Sequence, residues 1–203
     1  MESKLAKIIS IIFQPLLMPT YGFIVLFNIN VYFTMMIPWS ARWIILAIVF
    51  VSTFVLPLFF ILILYHRGVV GSLHLEKRKE RILPLIITVV FYYMCYYLLK
   101  RLQISPIFYY FLIGTTFTLV ISLIINFFWK ISMHMMAAGG LLGVFLGLSF
   151  VLMINIPFIL MGIILSAGLI GFARLKLRAH TPGQVYAGFL TGALIMFILF
   201  IFI

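Results

Sequence analysis

The chain contains no aspartate at all, and its only glutamates are Glu2, Glu76 and Glu80. A hard cation needs several oxygen ligands, so a carboxylate-rich Mg²⁺ site of the kind used by membrane prenyltransferases and alcohol phosphotransferases is excluded. The four histidines, His66, His74, His134 and His180, do not stand four apart on any segment, which argues against a zinc site. Neither a metal nor another cofactor is expected. Cys95 is the only cysteine and has no intrachain partner, so disulfides are excluded and the redox compartment is not readable. Charged residues make up only 8% of the chain, and the longest polar stretch is about 66–81. With no linker or low-complexity tail, residues 1–203 read as a single integral membrane domain.

What the sequence does have is apolar length. Of its 203 residues 66% are hydrophobic, and the mean hydropathy is +1.32, a composition that a water-soluble domain of this size does not carry. A hydrocarbon core of about 30 Å takes about 20 helical residues to cross. Runs of that order recur at about 8–29, 41–65, 82–99, 106–128, 133–153, 155–172 and 184–203. They are continuously apolar, with no alternation between lipid and lumen faces, so they predict helices and not barrel strands. The expected fold is all-α, a polytopic transmembrane helical bundle of six to seven spans, in a bacterial inner membrane. Pro15 and Pro19 interrupt the first run, which predicts either a kinked helix or an interfacial piece followed by a shorter crossing. Lys4 and Lys7 precede it without a small-residue cleavage site beyond, so it reads as an uncleaved anchor.

Threading these spans puts the N-terminus, the 66–81 loop, the 129–132 turn and the 173–183 segment on one membrane face. Of the 14 lysines and arginines, only Arg42, Lys100 and Arg101 fall on the other. By charge alone the rich face is cytoplasmic. Ordinary anchoring to anionic headgroups accounts for Lys4, Lys7 and Lys79. The lipid bilayer is the expected partner, with no nucleic acid.

Two helix starts share that face. In Trp129-Lys-Ile-Ser-Met-His134, Ser132 is placed as an N-cap and His134 in the first turn, followed by Gly139, Gly143 and Gly147 at close-packing intervals. In His180-Thr-Pro-Gly-Gln184, Thr181 reads as N-cap, Pro182 as the first helical residue and Gln184 as the partner closing a capping box. Gly188 and Gly192 again permit close packing. Two helix N-termini, each with a histidine and flanked by Lys130, Arg174, Lys176 and Arg178, make an anion site: backbone donors and the dipole favour phosphate, and guanidinium forks match its oxygens.

The same residues resemble a known family. Arg174, five residues, His180, then Thr-Pro-Gly-Gln-Val-Tyr-Ala-Gly is similar to the third motif of type 2 phosphatidic acid phosphatases, membrane enzymes related to vanadium haloperoxidases, and Lys130-Ile-Ser-Met-His134 to the second. Glu76-Lys-Arg-Lys-Glu-Arg-Ile-Leu-Pro84 approximates the first, with Arg81 and Lys77 as its candidates and Arg78 beside them. The resemblance covers about residues 76–203. It implies His180 as nucleophile, His134 as general acid, and Arg174, Ser132, Arg81, Lys77, Lys130 and Arg78 as phosphate ligands, without metal. It also implies a periplasmic or lumenal site, opposite to the charge count. Two positions depart from the pattern: Ala173 stands for the motif serine, and Gln184 for the aspartate that orients the nucleophile. Glu76 or Glu80 is a possible substitute for that lost charge.

The expected function is therefore a metal-independent lipid phosphatase acting on a lipid phosphate monoester or pyrophosphate through a phosphohistidine, its partner being a membrane lipid carrying a phosphate group. The alternatives are a relative that binds lipid phosphate without turnover and a small anion or lipid transporter. The latter usually carries internal repeats, and none is evident.

Overall fold

A computed structural model describes residues 2–72 and 78–202. His74, Glu76 and Lys77 lie outside the described residues. Among the described residues every regular element is helical: α1 (Glu2–Ile12), α2 (Met18–Asn28), α3 (Tyr32–Met35), α4 (Trp39–Phe50), α5 (Leu56–His66), α6 (Ile82–Arg101), α7 (Pro106–Phe128), α8 (Met133–Val151), α9 (Pro157–Lys176) and α10 (Pro182–Ile201). Among the described residues seven stretches are long and apolar enough to cross a membrane: Ser3–Asn28, Trp39–His66, Lys79–Arg101 and the four helices α7 to α10. The chain is an all-α integral membrane protein, as its apolar runs predict.

The first stretch is broken, and proline chemistry explains how. Pro15 has no N–H and pushes the residue before it out of the helical region; Gln14 is extended at φ −63°, ψ 136°. One 3₁₀ turn, Pro15–Leu17, follows before α2 begins. The second stretch holds a feature the periodicity did not predict, a π-helical turn at Val51–Val55 between α4 and α5. Pro57 has no N–H to give Thr53, and the Leu56 N–H reaches back five residues to the Val51 carbonyl.

The chain forms two compact units. One runs from Pro19 to Leu123. Its Phe23 ring meets Phe108 and Phe111 at 5.7 and 5.4 Å between centroids. Arg42 ties its loops, donating to the carbonyls of Phe27 (2.9 Å), Thr34 (2.6 Å) and Ile37 (3.1 Å). Cys95 is free and buried there.

The other unit gathers α1, the turn after it, the end of α7 and α8 to α10. Its spine is the pair α8 and α10. A Cβ at Gly188 would lie 2.7 Å from the Ser132 carbonyl oxygen, one at Gly192 would collide with the Met136 carbonyl, one at Gly143 with the Ala193 carbonyl, and one at Gly147 would stand 2.6 Å from Phe200 Cβ. Residue numbers rise together along both helices, so they run parallel. Only glycine lets the backbones approach this closely, and dispersion across the seam replaces the missing hydrophobic drive in lipid. With α9 returning between them, the starts of α8 and α10 and the end of α9 share one end of the unit.

Candidate functional site

At the start of α10 the capping box forms. Thr181 is extended (φ −81°, ψ 160°) and Pro182 occupies the first helical position. The Thr181 N–H donates to Gln184 Oε1 at 3.2 Å, and the Gln184 N–H reaches Thr181 Oγ1 at 3.5 Å. Gln184 Oε1 also stands 3.1 Å from His180 Nδ1. A backbone N–H can only donate, so the amide oxygen, not its nitrogen, faces this corner. The ring nitrogen on the same oxygen must therefore donate as well. Neutral His180 carries its proton on Nδ1, and Nε2 is its basic atom. The side chain is buried, with 8% of its surface exposed. It borders an open depression of about 600 Å³ that Lys130, Leu175, Arg178, Ala179, Thr181, Pro182 and Gln184 also line.

At the start of α8, Ser132 takes the N-cap position (φ −83°, ψ 103°), but its hydroxyl makes no capping bond. Ser132 is fully buried, and Oγ has no hydrogen-bond partner. Its N–H donates to the Gln184 carbonyl at 3.3 Å. The serine thus stands at the N-cap position expected of it, without the capping bond.

His134 and Arg174 meet on a residue that no motif pointed to. Ser10, near the end of α1, accepts from His134 Nε2 at its carbonyl oxygen (3.1 Å) and from Arg174 Nη1 at Oγ (3.2 Å). Arg174 Nε is buried without a partner. The Ser10 carbonyl is available because α1 ends early. In a continuing helix it would accept the Gln14 N–H, but Gln14 turns away before Pro15 and bonds Ile11 instead, at 3.3 Å. The detectable signal was the orphaned carbonyls that a proline break leaves, not the serine itself.

Within this unit the structure joins Ser132 to Gln184, gathers His180, Gln184, Lys130 and Arg178 around one depression, and links His134 to Arg174 through Ser10. Ser10 is one partner of the His134 ring and Gln184 one partner of the His180 ring. Ala173 is fully buried. Arg81 and Arg78 belong to the other unit, Arg81 buried in the 3₁₀ turn Lys79–Arg81 and Arg78 exposed ahead of it. Glu80 is there too, against Gly71. Lys77 and Glu76 lie outside the described residues. No group of three or more His, Cys, Asp or Glu side chains gathers among the described residues.

Compared with protein-family models, curated proteins and solved structures, the chain matches none.

Proposed function

We propose that the chain is a membrane lipid phosphatase of the type 2 phosphatidic acid phosphatase kind, set in a bacterial inner membrane. It would hydrolyse a phosphate monoester, or the terminal phosphate of a pyrophosphate, on a lipid in the same bilayer. The observation that carries this reading is the Gln184 oxygen shared by the Thr181 N–H and His180 Nδ1, which leaves Nε2 as the nucleophilic nitrogen beside a helix N-terminus.

In this reading Nε2 of His180 attacks phosphorus and the bond from phosphorus to the lipid oxygen breaks. His134 gives that oxygen its proton. Water then attacks the phosphohistidine and gives a proton to His134, the bond from phosphorus to Nε2 breaks, and phosphate leaves with Nε2 restored. Arg174 and Ser132 hold phosphoryl oxygens; a buried hydroxyl and a buried guanidinium N–H without partners are donors already desolvated for that purpose. Lys130 borders the approach. The reaction needs no metal, in keeping with a chain that has no aspartate.

A second reading, lipid-phosphate binding without turnover, is favoured by Gln184 itself. A neutral amide accepts the Nδ1–H bond but does not offset the positive charge on a phosphohistidine or imidazolium. Phosphate release from detergent-dispersed phosphatidate in EDTA tests the two. Release that His180→Ala abolishes and His134→Ala reduces supports the enzyme. Saturable binding with no release supports the second reading, and release that survives both substitutions contradicts the site.

A further inference from the structure

We propose that the end of α1 is a built-in occupant of the phosphate position, displaced when a phosphorylated lipid binds; this rests on the reading of Arg174 and His134 as phosphate-handling groups. The contact that motivates it is chemically specific. Two oxygens of one residue, the Ser10 carbonyl and hydroxyl, accept from an imidazole and a guanidinium 3.1 and 3.2 Å away. Two oxygens of a phosphoryl group would take the same pair of donors.

The electrostatics point the same way. A helix C-terminus carries partial negative charge on its unpaired carbonyls, and α1 ends beside the cationic Arg174 and the first turn of α8, whose partial charge is positive. The end of α1 thus offers a weaker version of the charge that a phosphate would bring. Ser10 does not use all of the Arg174 donors: Nη1 reaches it while Nε stays buried and unpaired. A phosphate, with more acceptor oxygens, competes by satisfying what Ser10 leaves unsatisfied.

The displaced element packs against α9 and buries little else. Ala6 alone among the described side chains of α1 is fully buried, while Leu5, Ile8, Ile11 and Ile12 are at least half exposed. Those exposed side chains face the same apolar surroundings after a shift, so the shift costs little burial in lipid. The break at Gln14 and Pro15 lets α1 move without unwinding α2.

The test measures binding of dioctanoyl phosphatidate, and separately of inorganic phosphate, to the full chain in detergent, on a His180→Ala background so that lipid is not consumed. Ser10→Ala removes one competing acceptor and is expected to tighten phosphatidate binding by about threefold to tenfold, the scale of one hydrogen bond. Arg174→Ala is expected to abolish binding with or without the serine. Should Ser10→Ala perturb folding, Ser10→Cys gives a second readout, since the one native thiol, Cys95, is fully buried. Its maleimide labelling is expected to accelerate when phosphatidate is added. Acceleration by inorganic phosphate alone identifies the displacing group as phosphate from either source, and acceleration by phosphatidate only identifies a lipid headgroup. Unchanged or weaker binding in Ser10→Ala, with Arg174→Ala still abolishing it, would overturn the displacement and make Ser10 a positioning residue. Phosphatidate binding indifferent to Arg174→Ala would remove the phosphate site itself, and the displacement with it.

Discussion

The Ser132 N–H donates to the Gln184 carbonyl oxygen at 3.3 Å, a bond between two residues that each sit at the start of a transmembrane helix. It fixes the level at which α8 and α10 begin. The glycines beyond it fix how near the two axes come. The candidate site is therefore a consequence of the seam: His134 follows Ser132 by two residues, and His180 precedes Gln184 by four.

Gly192 is the most demanding point of that seam, because a Cβ there would collide with the Met136 carbonyl. Gly192→Ala is expected to lower stability by about 1–3 kcal/mol, the usual cost of overpacking, read as a fall in the thermal midpoint in detergent. Gly162 has nothing within 4 Å of such an atom, and Gly162→Ala should stay within about 0.5 kcal/mol of the parent. Equal losses at the two positions would mean that the seam is looser than its geometry.

Ser132→Ala separates a binding role from a structural one. An N-cap serine that makes its bond loses about 0.5–2 kcal/mol on replacement by alanine. Here the hydroxyl is buried without a partner, so the substitution should leave stability unchanged or slightly raised. Phosphatidate binding should weaken. A large thermal loss with unaltered binding would show the hydroxyl to be part of the scaffold.

Gln184 is expected to respond asymmetrically. Gln184→Leu removes the acceptor for both the Thr181 N–H and His180 Nδ1; stability should fall by about 1 kcal/mol through the lost cap. Turnover should fall by up to about 10⁴, as when a triad histidine loses its orienting partner. Gln184→Glu keeps the acceptor and adds charge, and should raise turnover about tenfold over the parent, the margin between a charged and a neutral hydrogen bond. Initial rates on phosphatidate check both; a slower Gln184→Glu would argue against an imidazole that becomes cationic in the reaction.

Arg174 holds Ser10 through Nη1 while Nε stays unpaired. Arg174→Lys keeps the charge but loses the planar fork. It should recover less than a tenth of the phosphatidate affinity that Arg174→Ala removes, as measured by titration calorimetry. Full recovery by lysine would reduce the role of Arg174 to a point charge.

Much of this was legible in the sequence for reasons that can be named. Span length and apolarity are set by bilayer thickness, so the seven stretches long and apolar enough to cross could be read directly. Thr181-Pro182-Gly183-Gln184 announced its cap because the chemistry is local to four residues. Gly188 and Gly192 announced a close approach but not the partner, which is α8 by topology. Ser10 was invisible because its importance is non-local: its carbonyl is freed by Pro15 and claimed 124 positions away by His134. The π turn at Val51–Val55 was missed because periodicity carries no trace of a one-residue register change.

The most direct measurement of the central claim is to mix the purified protein, in EDTA, with phosphatidate carrying a radioactive phosphate, quench within the first turnover at alkaline pH, and map the labelled residue. Acid-labile, alkali-stable label on His180, absent in His180→Ala and formed more slowly in His134→Ala, is the expected result. Phosphate released at the normal rate with no label on His180, or a requirement for added metal, would contradict it.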